Sequence, residues 1–404
     1  MGLPLEGIKV VEVAIWGYVP SAGAALSDMG AQVLKIEPPD GDPMRQLTTG
    51  GVAPGTGGFT YLWEIFNRGK KGFALDLGVA GAVDVLHELL EDADVFLTNL
   101  LPPTRRKLKI DVPDITSRHP RIIYATGSGL GPNGPESAKG GYDAISMWAR
   151  GGVASAITPD ELPHPLGMPS PAFGDVLSGV ILAGGISAAI AQRERTGETS
   201  IVDGALLATG LWAMQAAIVG ASLSGREELP KRTHASAGNP LSNAYATSDG
   251  RHVLLCMLQR QRYWHDFCLA IERPDLASDP RFETDDALAE NLSACIQELD
   301  TTFATRTLEE WKHRLAQQKG QWDVVQKAGE TVNDAQALAN GFVQDVDYGD
   351  GRSLKMVSVP VLFNRKALTA HPAPGLGEHT DGVLSALSYD EEKILDLRIR
   401  GVIL

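Results

Sequence analysis

Lys9-Val-Val-Glu-Val-Ala14, then Pro20 to Gly30, then Ala31-Gln-Val-Leu-Lys-Ile-Glu37 is the run whose reading decides the fold class. The two outer stretches are short, apolar and rich in β-branched residues, and they read as buried strands. Between them Pro20 opens a helix that turns Ala24, Ala25, Leu26 and Met29 inward and stops at Gly30. A strand, a helix and a second strand in succession make a right-handed crossover, so the two strands lie parallel. The same alternation continues through residues 73–77, a helix over about 81–91, then 95–97 and 121–126. The expected fold is α/β, a parallel sheet with helices on both faces. Such sheets bind ligands at the carboxyl ends of their strands. Here those ends fall at residues 13–20, 37–45, 99–109 and 127–142, all rich in Gly, Pro or charge.

Farther along, residues 227–238 turn polar and charged, the texture of a domain crossing. Residues 243–247 and 252–257 then alternate in polarity around Ser248-Asp-Gly250, a hairpin signal. Helices are expected around 263–271 and 288–305, and from Thr307, where Glu310 completes a capping box. Residues 236–345 therefore read as a smaller α+β domain, after a large domain over 1–200 and a helix with linker over 201–235. Ser388-Tyr-Asp-Glu391 reads as another capping box, opening a last helix before Gly401. Residues 204–225 carry no charge and approach the length of a membrane span. Their four glycines, with Thr209, Gln215, Ser222 and Ser224, read instead as a helix buried in protein.

With 36 Lys and Arg against 50 Asp and Glu among 404 residues, the net charge is −14. That balance argues against nucleic-acid or anionic-membrane partners, and an anionic ligand would need a local basic patch. Two are present, Arg68, Lys70 and Lys71, and Arg105, Arg106, Lys107 and Lys109. Each either faces phosphates or forms a solvated face. Cys256, Cys268 and Cys295 lack C-x-x-C spacing, the nine histidines lack metal spacing, and His379 reads as structural. No basic-then-apolar leader opens the chain, so a cytoplasmic protein without a metal is expected. Gly129-Leu-Gly-Pro-Asn-Gly134 matches a dinucleotide fingerprint in form only. Pro132 and Pro135 leave no helix start to receive a pyrophosphate.

The chemistry is expected in Pro169-Ser-Pro-Ala-Phe-Gly-Asp175-Val-Leu-Ser-Gly-Val-Ile-Leu-Ala-Gly-Gly185. Two prolines and Gly174 hold the chain out of helix, and Val176, Leu177, Val180, Ile181, Ile186 and Ile190 then recur at helical spacing. Asp175 thus stands at a helix N-terminus. There it is either a cap or a nucleophile kept ionised by the helix dipole. Gly179, Gly184 and Gly185 inside the run imply close packing or a ligand near the backbone.

Several spaced motifs together resemble the class III CoA-transferases, which include formyl-CoA and carnitine CoA-transferases and α-methylacyl-CoA racemase. They are Leu5-Glu-Gly-Ile-Lys-Val-Val-Glu-Val, Asp28-Met-Gly-Ala-Gln-Val-Leu-Lys-Ile-Glu-Pro, Gly41-Asp-Pro-Met-Arg45, Asn67-Arg-Gly-Lys-Lys, Ala93-Asp-Val, Gly140-Gly-Tyr-Asp143, Gly174-Asp175, Arg195-Thr-Gly197, Val202-Asp203 and Leu376-Gly-Glu-His-Thr380. The resemblance implies a Rossmann-like large domain built from both chain ends, residues 346–404 completing it, and a threaded homodimer. It implies a coenzyme A thioester as substrate, a carboxylic acid as acceptor and no permanently bound cofactor. Asp175 would be the nucleophile, passing through an acyl-aspartyl anhydride and an aspartyl-CoA thioester, with Tyr142 beside it. The racemase branch carries a histidine at the Tyr142 position, so transfer is favoured over racemisation. A phenol is a poor base for an α-proton at neutral pH. Asn99, Leu100, Lys107 and Leu108 would hold nucleotide and pantetheine, with Lys70, Gly17 and Tyr18 also binding. Residues 256–262 replace the glycine loop of the formyl-CoA branch, which argues against oxalate or formate. Met147, Trp148 and Met168 line an acyl pocket or belong to the core.

Overall fold

The crossover at the start of the chain forms the middle of a larger sheet. In the computed structural model, which describes residues 2–47 and 59–404, β1 (Lys9–Val13) and β2 (Gln32–Glu37) pair in parallel around α1 (Tyr18–Asp28). With β3 (Lys71–Ala74), β4 (Val95–Thr98), β5 (Ile123–Ser128) and β6 (Ile201–Ala205) they make a six-stranded sheet in the order β3-β2-β1-β4-β5-β6, parallel throughout. The order reverses between β1 and β4, where ligands of doubly wound sheets bind. Also in this part are α2 (Tyr61–Asn67), α3 (Ala82–Leu90), α4 (Pro102–Leu108), α5 (Val112–Thr116), α6 (Val153–Ile157), α7 (Phe173–Thr196), α8 (Leu206–Ala213) and α9 (Gln215–Ser224). A π-helical turn spans Ala144–Ala149.

Alternation along β1 builds two cores. Val10 packs with Val19, Ala22 and Leu26 of α1 and Leu182, Ile186 and Ile190 of α7. Val11 and Val13 face the other way, toward Val85 and Leu86 of α3. α1 and α7 approach closely because small residues meet. A Cβ on Gly179 would fall 2.5 Å from Ser21 Cβ and 2.9 Å from the Ala22 nitrogen. Of the six apolar positions that announced α7, only Ile186 and Ile190 are buried, whereas Leu177 and Ile181 are exposed. The expected buried helix over 204–225 is instead the end of β6 followed by α8 and α9, bent by 64°. α9 buries no residue, and Trp212 and Leu223 are 69% and 85% exposed.

Two compact units result, one from the chain up to Leu229 with Ala335–Leu404, the other from Pro230–Asp334. These limits differ from the sequence division because β6 bonds to β5 and so carries the large sheet past residue 200. The smaller unit holds an antiparallel sheet of β7 (Ala244–Ala246), β8 (His252–Leu255) and β9 (Trp322–Val324). Its helices are α10 (Arg260–Ala270), α11 (Pro274–Ala277), α12 (Asp285–Glu290), α13 (Leu292–Phe303) and α14 (Leu308–Leu315). The Thr307–Glu310 capping box is formed, and Asn291 splits the helix expected over 288–305. After α15 (Ala335–Ala339) and the hairpin β10 (Val343–Asp347) and β11 (Ser353–Val357), the chain ends in α16 (Thr380–Ala386) and α17 (Glu391–Ile399). Asp390, rather than Ser388, caps α17 by accepting from the Lys393 N–H at 2.8 Å. This last segment closes the edge of β3. Gly72 N–H donates to His379 Nδ1 at 3.2 Å, Ala74 N–H to Thr380 Oγ1 at 3.0 Å, and His379 N–H to the Gly72 carbonyl at 2.9 Å.

Candidate active site

At the carboxyl end of β1 the chain runs through Ala14, Ile15, Trp16 and Gly17, and each of the first three is held by a side chain from elsewhere. Lys35 Nζ donates to the Ala14 carbonyl at 2.6 Å. Asn99, just past β4, accepts from the Ile15 N–H at 3.0 Å and donates back to the Ile15 carbonyl at 2.5 Å. Asp42 Oδ1 accepts from the Trp16 N–H at 3.1 Å. These bonds hold Trp16 in the left-handed region at φ 67°, which a bulky residue rarely adopts. Its ring meets Tyr142 edge-on at 5.8 Å.

The clamp is itself anchored in buried charge. Lys35 lies 2.9 Å from Asp42 and 3.3 Å from Glu12, and Lys70 lies 2.8 Å from Glu12, with all four side chains fully buried. Lys70 also donates to the Pro20 carbonyl and Asn67 Oδ1 at 2.9 and 3.0 Å. Burial lowers Lys70 to about 8, with Glu12 opposing. Buried ion pairs persist when every partner is satisfied, and removing one member leaves an uncompensated charge. Lys70 therefore cannot reach a phosphate, which corrects its expected binding role. Arg68 is likewise engaged, with Nη2 2.7 Å from Asp28 Oδ2.

Gly17 brings the clamped loop against α7. A Cβ there would overlap the Asp175 carboxylate. Asp175 is the third residue of α7, and no hydrogen bond among the described residues ends on its side chain. The capping reading is thus removed, since Ala172, at φ 58°, occupies the N-cap. The side chain that serves the helix start is Asp143, whose Oδ2 accepts from the Gly174 N–H at 3.2 Å. Burial, and then the charge of Asp143, push the Asp175 carboxyl up to about 8. The expectation that the helix N-terminus keeps it ionised is corrected accordingly: desolvation outweighs the dipole.

Asp175 faces a cleft of about 380 Å³. Ile15, Trp16, Gly17 and Tyr18 form one wall, Asn99, Leu100, Leu101 and Thr104 a second, Gly127, Ser128 and Gly129 the floor, and Gly140, Gly141, Tyr142 and Leu206 the rest. Gly129 and Gly141 touch backbone to backbone, since a Cβ on Gly129 would lie 2.7 Å from Gly141 Cα. Of the residues named from sequence, Asp175, Tyr142, Gly17, Tyr18, Asn99 and Leu100 meet here. Lys107 is exposed on α4, Leu108 packs into the core beneath it, and neither lines the cleft. Met147 and Trp148 are buried in the core, with Met168 packed against them. Trp16 and Asp143 were missed. Asp143 stood inside a quoted motif, and Trp16 followed the first strand directly. A larger cavity of about 820 Å³ lies at the amino ends of β1 and β2, away from the ligand-binding end of the sheet. Among the described residues no group of acids, histidines and cysteines is arranged to hold a metal ion.

Comparison with known proteins supplies the chemistry. The model of CoA-transferase family III matches residues 5–380. The (R)-2-hydroxy-4-methylpentanoate CoA-transferase of Clostridioides difficile is 30% identical over 400 residues, covering 99% of each chain. The cinnamoyl-CoA:phenyllactate CoA-transferase of Clostridium sporogenes is 27% identical, covering 97% of this chain and 95% of its own. The orthorhombic crystal structure of Rv3272 from Mycobacterium tuberculosis superposes with a TM-score of 0.79 at 27% identity, covering 94% of this chain and 98% of that one.

Proposed function

Since the chain belongs to CoA-transferase family III, we propose that it moves coenzyme A between carboxylic acids with Asp175 as the nucleophile. The observation that carries this reading is a carboxyl group without a hydrogen-bonding partner among the described residues, set in the cleft at the carboxyl end of the sheet. The ionised carboxylate attacks the donor thioester, giving an acyl-aspartyl anhydride and CoA thiolate. The thiolate attacks the aspartyl carbonyl and releases the donor acid, leaving aspartyl-CoA. The acceptor carboxylate then enters by the same two steps in reverse. Dividing the exchange lowers each barrier, and enclosure of the cleft limits hydrolysis of the intermediates. Tyr142, edge-on to Trp16, flanks the reacting group.

Ile15, Trp16, Leu101, Tyr142 and Leu206 give the cleft apolar walls, which suit an acyl group with a branched or aromatic tail. The relatives named for 4-methylpentanoate and phenyllactate chemistry support that class. Exposed Lys107 and Arg106 on α4 suit the phosphates of the nucleotide, the enzyme needing no resident cofactor. The apolar flank of α8 and α9 supports a homodimer, and three free cysteines a cytoplasmic setting.

The test is intact-protein mass spectrometry after incubation with acyl-CoA thioesters and trapping by hydroxylamine or borohydride. Modification at Asp175 that is lost in Asp175→Ala is the expected result. A protein that binds CoA yet yields no adduct with any donor would defeat the reading.

A further inference from the structure

Tyr18 opens α1, and its ring lies across two paired strands. Gly127 of β5 and Gly204 of β6 are register partners. A Cβ on Gly127 would lie 2.8 Å from Tyr18 Cε1, and one on Gly204 would overlap the phenol oxygen. Two neighbouring strands thus omit a side chain at the same rung, which weakens both, and the slot seats one phenol.

Three other phenols, buried Tyr124 and Tyr245 and half-buried Tyr348, have acceptors. Tyr124 donates to the Ile110 carbonyl at 2.8 Å, Tyr245 to the Pro240 carbonyl at 2.7 Å, and Tyr348 to Glu64. Tyr18 is only 6% exposed, and its hydroxyl bonds to none of the described residues. It lines the cleft beside Asp175. The hydroxyl is not sealed off in the interior, so with no protein partner its acceptor is water or a ligand bound in the cleft. Burial, followed by the charges of Asp175 and Asp203, pushes the phenol well above its ordinary range, so it stays protonated and can donate.

We propose that Tyr18 is a catalytic hydrogen-bond donor to the carbonyl oxygen of the acyl group as that group is transferred to Asp175. The inference rests on Asp175 being the nucleophile. In the first step an Asp175 oxygen bonds to the thioester carbon, and the carbonyl π pair moves onto its oxygen. The Tyr18 O–H stabilises that charge without giving up its proton. The pair then returns, the C–S bond breaks, and CoA leaves as thiolate. A preorganised donor aimed at developing charge is among the largest catalytic effects known in acyl transfer.

Acetyl-CoA, butyryl-CoA and 3-phenylpropanoyl-CoA serve as probes, with the rate of adduct formation read by rapid quench and intact mass. Tyr18→Phe keeps the ring in its slot and removes only the unpaired hydroxyl, so its melting temperature should match wild type. The expected result is an adduct rate about 10²-fold lower with probe affinity within about twofold. The dithioester analogue, whose sulfur is a weaker acceptor, should slow wild type but leave Tyr18→Phe little changed. An unaltered adduct rate in Tyr18→Phe would overturn the proposal, as would a loss confined to affinity or a dithioester effect of equal size in both proteins. A wild type that forms no adduct with any of the three probes would instead remove the Asp175 reading, and this inference with it.

Discussion

At Asp175 one carboxyl must be shielded from water and yet ionise to react. Burial and Asp143 hold it up at about 8, so at pH 6 only about one molecule in a hundred carries the carboxylate. The rate of adduct formation by the free enzyme should therefore rise about tenfold per pH unit from 6, and level off near 8. A flat profile over that range would contradict the assignment. Stability should run the other way. Between about pH 4 and about 8 the folded protein holds a proton that the unfolded chain has lost, so ionisation progressively weakens the fold as pH rises. Asp175→Asn should flatten that slope in thermal melts. The place of Asp175 at a helix start was legible in Gly174-Asp175 and the apolar run behind it. Its protonation was not, because it depends on enclosure and on Asp143, which is distant in sequence. Lys70 was misread for a related reason. A lysine beside a strand looks the same in sequence whether it meets solvent or Glu12, whose partnership spans 58 positions.

Among the elements, the contact of α1 with α7 places Gly17 and Tyr18 against Asp175. Gly179 sits at its tightest point, so Gly179→Val should cost about 1–3 kcal/mol by overpacking and slow adduct formation as α7 shifts. A Cβ on Gly184 would meet nothing within 4 Å beyond its own helix backbone, and Gly184→Ala should be neutral or stabilise by up to about 1 kcal/mol. Chemical denaturation of both variants checks the contrast. Helical periodicity located α7 correctly but did not identify which of its residues are buried. The spacing of large apolar residues marks a helix, whereas here small residues are buried and some large ones are left outside. The strands were read more reliably. Short β-branched runs between helices leave few alternatives, although β6 lay outside the alternation that was read.

For the whole molecule, the uncovered apolar side chains on α7, α8 and α9 make a prediction about assembly. Leu223→Glu together with Trp212→Glu should convert a dimer to a monomer in light scattering, without loss of helical signal. A wild type that is already monomeric would refute the dimer. The two-unit organisation was visible as a change of texture near residue 230, but its exact limits depend on strand pairing that composition does not reveal.

The closure of β3 by the last segment also bears on how the chain is made. Gly72 and the His379 that caps it are 307 positions apart. At roughly 5–20 residues per second, that gap corresponds to about 15–60 s of synthesis. Throughout that interval the edge of β3 lacks its final partner, and the whole smaller unit, Pro230–Asp334, is made within it. The larger unit therefore completes this edge only when its last segment is made, and until then the strand's unpaired groups stay open to pairing with another chain.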